Sequence, residues 1–294
     1  MSGQWVAALA HIGAPLVPHD LVAAWTLEPA QLLCLAAAAL LYSRGVRALW
    51  RRAPGRGVRR WEAWCFVAGW AVLALALLSP LHALGGVLFS AHMAQHELLM
   101  VVAAPLLVLS RPLVPCLWAL PIGWRRGLGA LGRGGLGRLW HGLTIPLVAF
   151  ALHAVAIIAW HLPRLYDLAL GSEAAHAAQH LSFLGTALLF WWSLAYGAAA
   201  EERWGAAIVW VTLTMAYTSA LGVILTFAGS SLYPAYGARA AAWGLTALED
   251  QQLAGLIMWI PAGIAYLAAA LVFAAQWMSA SERRVRFREA AEAR

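Results

Sequence analysis

The chain has 294 residues, of which 63% are hydrophobic and 11% charged, and its mean hydropathy is +0.71. Soluble globular domains average roughly 45–50% apolar and about 25% charged residues, so a soluble enzyme, a disordered chain and a nucleic-acid-binding domain are excluded. The composition points to an all-α polytopic protein in a lipid bilayer, with length for several spans of about 20 residues each. The 20 basic residues are all Arg and leave a net charge of +7. In a membrane protein such charges are topology signals.

Residues 1–28 read as an outer N-terminal tail. They are weakly apolar, lack a basic n-region and carry His11, Pro15, Pro18, His19 and Asp20. A translocated tail with a short interfacial helix fits this better than a signal peptide. Seven apolar segments follow, at 29–49, 61–80, 88–110, 142–161, 174–197, 206–228 and 250–278. They predict a seven-helix transmembrane domain over 29–278 and a basic cytoplasmic tail over 279–294.

Arginine placement predicts the orientation. Arg44, Arg47, Arg51, Arg52, Arg56, Arg59 and Arg60 follow the first span. Arg111, Arg125, Arg126, Arg133 and Arg138 separate the third from the fourth, and Arg203 the fifth from the sixth. Arg283, Arg284, Arg286, Arg288 and Arg294 end the chain; only Arg164 and Arg239 fall on the opposite side. The positive-inside rule then places the N-terminus outside and the C-terminus in the cytoplasm. Trp25, Trp50, Trp61, Trp64, Trp140, Trp160, Trp204, Trp243 and Trp277 fall near span ends, as an aromatic belt requires.

The Gly- and Arg-rich 111–141 segment reads as a flexible, lipid-facing basic loop. The outer loops 162–173 and 229–249, with Tyr166, Asp167, Tyr233, Pro234, Tyr236 and Arg239, either dock a partner or cover the bundle. Pro105 and Pro261 lie inside spans three and seven and should kink them, freeing backbone carbonyls. Cys34, Cys65 and Cys116 are far apart and form no CxxC pair. They read as small buried hydrophobes, not as a disulfide framework.

The ten histidines carry most of the functional signal. His11, His19, His82, His92, His96, His153, His161, His176 and His180 fall outside or in the outer half, and His141 lies at the inner interface. His11, His19 and His82 read as solvent-facing. Span three opens with HMAQH (His92 to His96) and span five with HAAQH (His176 to His180). Histidines at i and i+4 share a helical face, and both motifs enter the membrane from the same side. Gln95 and Gln179 lie on those faces. Span seven begins at the same level with Glu249, Asp250, Gln251 and Gln252, with Met258 two turns deeper.

Polar groups in lipid face the bundle interior, so two HxxxH pairs should converge. Neutral imidazole ligates copper, zinc and iron, and thioethers favour Cu(I). The expected metal ligands are His92, His96, His176, His180 and His161, with Met93 and Met258 as auxiliary thioethers. Asp250, Gln251, Gln95, Gln179 and His153 would support them from behind. Asp250 also suits a cap at the start of span seven. Two facing histidines would equally ligate a haem axially, and the residues alone do not choose between copper and haem. A His-box di-iron oxygenase is weaker, because Glu97 is the sole glutamate near the motifs. A structural membrane chaperone whose histidines only hydrogen-bond stays open. No catalytic triad or phosphate loop is present, which favours a non-enzymatic role.

The runs AHMAQHELLMVVAAPLLVLSRP, WHLPRLYDLAL, AAHAAQHLSFLGTALLFWW and LEDQQLAGLIMWIPAG, in that order, resemble the polytopic CtaG family. These are cytochrome c oxidase assembly factors of the caa3-associated type, distinct from the single-span copper chaperone sharing the name. The resemblance covers roughly residues 25–280. It implies a multi-pass protein of the bacterial plasma membrane that matures a haem–copper oxidase. Copper delivery, from a periplasmic donor to an oxidase subunit, is the role usually supposed. The family's motif positions fall on His92, Met93, His96, Trp160, His161, His176, His180, Asp250, Gln251 and Met258.

Overall fold

The structure is a computed structural model that describes residues 16–53, 55, 57–197 and 203–292. His11, Pro15, Arg56 and Arg294, named above, lie outside the described residues. Among the described residues every regular element is helical. Helices satisfy their own backbone groups, the condition for crossing hydrocarbon.

Helix α1 spans Pro29–Trp50, α2 Arg60–Leu78 and the short α3 Pro80–Gly85. Helix α4, Phe89–Leu109, is α-helical to Glu97, becomes a π-helix over Leu98–Ala103 and returns to α over Ala104–Leu109. Three short helices follow: α5 (Leu113–Ala119), α6 (Ile122–Arg133) and α7 (Gly135–Leu143). Then come α8 (Pro146–Trp160), α9 (Pro163–Gly171), α10 (Glu173–Tyr196) and α11 (Arg203–Thr226). Short helical turns at Pro234–Tyr236, Gly237–Ala240 and Ala241–Trp243 lead into α12, Ala247–Glu292. Proline at the first turns of α1, α3, α8 and α9 fits positions that have no intrahelical N–H bond to lose.

Among the described residues, five helices are long and apolar enough to cross a membrane: α1, α2, α4, α11 and α12. The number rises to six if α7 and α8, bent by 69°, form one broken span. The expected fifth span is the 24-residue α10. It has the length, but His176, Gln179, His180 and Ser182 dilute its apolar character. The protein is therefore a multi-pass helical membrane protein, with α10 as the polar exception. Helix α12 runs unbroken for 46 residues, past the expected end of span seven at residue 278.

Helix α4 lies at the centre, against α2, α10 and α12. Its π segment precedes Pro105, whose ring would clash with the carbonyl one turn back in a regular helix. The wider turn removes that clash, and Trp191 Nε1 of α10 donates to the Met100 carbonyl at 2.9 Å. Thus Pro105 does free a carbonyl, and a tryptophan claims it. Helices α11 and α12 cross at Gly222 and Gly255, where a Cβ on Gly222 would lie 2.9 Å from the Gly255 carbonyl. Small residues permit this close approach of backbones.

Two expectations fail here. The 111–141 segment is not a flexible loop but contains α5, α6 and most of α7. Helix α6 puts exposed Trp124, Leu128 and Leu131 on one face at i, i+4 and i+7 spacing, opposite Arg126 and Arg133. That is the pattern of a helix lying in a membrane interface. The cysteines are not buried: Cys34 is exposed and Cys65 and Cys116 are intermediate, all three free.

Candidate metal centre

The first turns of α4 and α10 stand side by side with their histidines facing. Within each HxxxH pair the ring centroids are 4.3 Å apart. Across the helices, His92 lies 5.3 Å from His176, His96 5.2 Å from His180 and His92 6.2 Å from His180. His92 and His96 are each 1% exposed, and His180 8%. His176, half-buried, lies at the outer edge.

A buried imidazole nitrogen normally has a partner. Here Nε2 of His92, His176 and His180 and both ring nitrogens of His96 have none among the described residues. His92 Nδ1 donates to the Gly85 carbonyl at 3.3 Å. A carbonyl only accepts, so the proton resides on Nδ1 and the Nε2 lone pair is free. His161, which closes α8, repeats the pattern: Nδ1 donates to the Ile157 carbonyl at 2.7 Å and Nε2 is unpartnered. His153 sits deeper and fully buried. The Thr186 hydroxyl gives its proton to the Ser182 carbonyl and so accepts from His153 Nδ1 at 3.0 Å, again leaving Nε2 without a partner. A backbone or hydroxyl acceptor at one ring nitrogen is the arrangement that turns the other toward a metal.

His82 joins this cluster, contrary to its expected solvent-facing position. Its ring stacks on His176 at 5.4 Å and lies 5.9 Å from His180. Gln95 Nε2 donates both to the Ala76 carbonyl (2.7 Å) and to His82 Nδ1 (2.9 Å), which leaves the His82 proton on Nε2. Burial holds the His82 imidazole below its ordinary pKa, with Glu28 opposing the shift. The loop packs this closely because residue 85 is glycine: a Cβ there would lie 3.3 Å from His92 Cα. A period of seven between Gly85 and His92 is no sequence motif, so pattern reading had no signal for His82. His19 is exposed, as expected, beside Asp20.

Asp250 caps α4, not α12. Its Oδ2 accepts from Phe89 N at 2.6 Å, and Oδ1 from Ser90 N at 3.0 Å and Ser90 Oγ at 2.5 Å. Gln251 Oε1 accepts from Leu232 N (2.6 Å) and its Nε2 donates to the Leu225 carbonyl (3.3 Å). Both residues are bonded to backbone, not to an imidazole, and they fix the outer loop and the HMAQH helix in place. Gln179 is buried with its side-chain amide against His92. Met93 and Met258 pack with Phe89, Tyr166, Tyr233 and Tyr236 in a neighbouring apolar cluster. Tyr166 links the two, its ring 5.2 Å from His92.

The outer loops cover the bundle. Tyr236 donates to the Gly85 carbonyl (3.0 Å), Tyr233 to the His161 carbonyl (2.7 Å) and Arg239 to the Gly86 carbonyl (2.8 Å). The Tyr166 and Tyr236 hydroxyls meet at 2.8 Å. Burial pushes all three tyrosine hydroxyls well above their ordinary pKa, so they remain protonated donors. Among the described residues no group of three or more His, Cys, Asp or Glu side chains is already arranged to hold a metal ion.

Comparison with known proteins places this geometry in context. Residues 40–280 match the family described as cytochrome c oxidase caa3 assembly factor (Caa3_CtaG). An uncharacterized protein of Mycobacterium bovis and one of Mycobacterium tuberculosis are each 28% identical over 260 residues. The alignment covers 85% of this chain and 39% of each relative, so the chain spans well under half of their length. No solved structure matches.

Proposed function

The chain belongs to the cytochrome c oxidase caa3 assembly factor family, and from that premise we propose that it binds copper through its histidine cluster and transfers it to an oxidase subunit during maturation. The observation that carries the reading is the set of unpartnered Nε2 atoms on His92, His96, His161, His176 and His180. Leaving so many buried polar atoms unpaired is costly, and a soft cation repays the cost that apolar packing cannot.

The dimensions support an ion of this size. Metal–nitrogen bonds of about 2 Å set the imidazole centroids of a tetrahedral site roughly 5 Å apart, close to the 5.2 and 5.3 Å across α4 and α10. Loading requires the rings to rotate so that two or three lone pairs converge. Such low coordination suits an ion that must leave again by ligand exchange. The 5.2 and 5.3 Å ring spacings across the helices suit a single bound ion better than an intervening porphyrin plane. Copper is cargo in this account, so no nucleophile or general base is required and the role is non-catalytic.

The arginine asymmetry supports an outer-side position for the cluster under the positive-inside rule; in this reading a periplasmic donor supplies copper there and the oxidase receives it. The test is metal content: the purified protein should bind about one copper per cluster, and His96→Ala or His180→Ala should lower it. Unchanged copper in both variants would overturn the assignment.

A further inference from the structure

At the end of the bundle opposite the histidines, two cavities of about 240 and 430 Å³ share a wall formed by Leu109, Ala195, Val272 and Phe273. The first runs up between α4, α10 and α12 and is lined by apolar side chains and Trp191. The second opens at the level of Trp61 and Trp204 and carries Arg59 and Arg111. Together they form a groove that is apolar within the membrane and cationic at its edge.

The mouth charge is accessible on the positive side only. Arg59 is exposed and the Arg111 side chain is 47% exposed, whereas Glu62 beneath it is 5% exposed. The Glu62 carboxylate is engaged by Arg59 N at 2.7 Å and lies 3.9 Å from Arg111 Nη1. The Arg111 guanidinium also sits over the Tyr196 ring, 5.8 Å from its centroid. It is therefore propped at the mouth from below and from one side.

Arg111 is held there in a disfavoured backbone conformation. Its φ is +51°, and it is the only non-glycine with positive φ among the described residues. Just past a helix end this position ordinarily takes glycine. A non-glycine residue persists in such a conformation when the surrounding structure or its function demands the side chain. Here the side chain is the guanidinium at the mouth.

We propose that this groove is a binding site for one anionic phospholipid. An acyl chain lies against Val272, Phe273 and Trp191, and the phosphodiester is held by Arg59 and Arg111. Guanidinium binds phosphate oxygens in a two-pronged geometry, and basic pockets between membrane helices take anionic head groups. The belt tryptophans set the head group at the interface. The site is separate from the histidine cluster and does not depend on the copper reading.

Native mass spectrometry of the full-length protein, released from detergent with dioleoyl-phosphatidylglycerol or dioleoyl-phosphatidylcholine added, tests this. The wild type should retain the phosphatidylglycerol at least fivefold better. Arg59→Gln combined with Arg111→Gly should abolish that preference, and glycine at 111 suits φ +51°, so the fold is kept. Ala269→Trp, which fills the apolar part, should lower retention of both lipids. Arg126→Gln on α6 should leave retention within twofold. Equal retention of the two lipids by wild type, a preference that survives the double variant, an equal loss in Arg126→Gln, or a co-purifying polypeptide displaced by Ala269→Trp would each overturn the proposal.

Discussion

Asp250, near the start of the last helix, closes the N-terminus of the helix 160 residues earlier by accepting from both the backbone N–H and the hydroxyl of Ser90. Two residues beyond Ser90 is His92. The bond therefore fixes the rotation and height of the HMAQH turn against α12. A negative group at this position also complements the positive end of the helix dipole. Asp250→Ala would strand two buried N–H groups and a hydroxyl, and it should destabilise the protein by about 2–4 kcal/mol. Asp250→Asn, which keeps an acceptor, should cost less than half as much. Thermal denaturation in one detergent checks both.

Trp191 and Met100 give a second stability prediction. The indole N–H satisfies a carbonyl released by the π segment. Trp191→Phe keeps most of the packing and removes the donor, so a loss of about 1–3 kcal/mol is expected. A melting temperature equal to that of the wild type would show that the carbonyl finds another donor.

His82 and His96 should behave differently toward metal. Gln95 occupies the His82 Nδ1 lone pair, so His82 does not offer a ligand nitrogen in this arrangement, whereas both nitrogens of His96 are unpartnered. His82→Ala should leave the copper dissociation constant within about twofold, a change of under roughly 0.4 kcal/mol in binding free energy. His96→Ala should raise it severalfold. Gln95→Leu frees the His82 lone pair, and a nitrogen chemical-shift measurement should show its proton redistributing between the two ring nitrogens.

Tyr236→Phe removes one of two donors to the Gly85 carbonyl, the other being His92. It also strands the buried Tyr166 hydroxyl that donates to Tyr236, so it should cost about 1–3 kcal/mol without altering copper content, because the remaining bond still keeps the His92 proton on Nδ1. Tyr233→Phe acts on His161 instead and should show the same pattern. A large copper loss in either variant would mean that the tyrosine cover sets the geometry of the ligands themselves.

The sequence exposed what repeats and what is chemically out of place. Twin HxxxH motifs in apolar runs gave the facing helices, and lipid forced their polar faces together. It did not expose contacts made by isolated residues. His82 has no spacing relation to His176, and it reaches the cluster only because Gly85 lets the α3 turn sit on α4. Asp250 looked like a cap for its own helix, since local rules describe caps within a segment and not between segments distant in the chain. The Gly- and Arg-rich 111–141 stretch read as a loop because glycine lowers helix propensity. The interface-facing pattern of Trp124, Leu128 and Leu131 overrides that propensity in α6.

The copper assignment rests on the unpartnered imidazoles, and metal analysis with an absorption spectrum on one purified sample tests it most directly. The account predicts bound copper and no Soret band, with copper reduced in both His96→Ala and His180→Ala. A Soret band, or copper content unchanged in both variants, would contradict it.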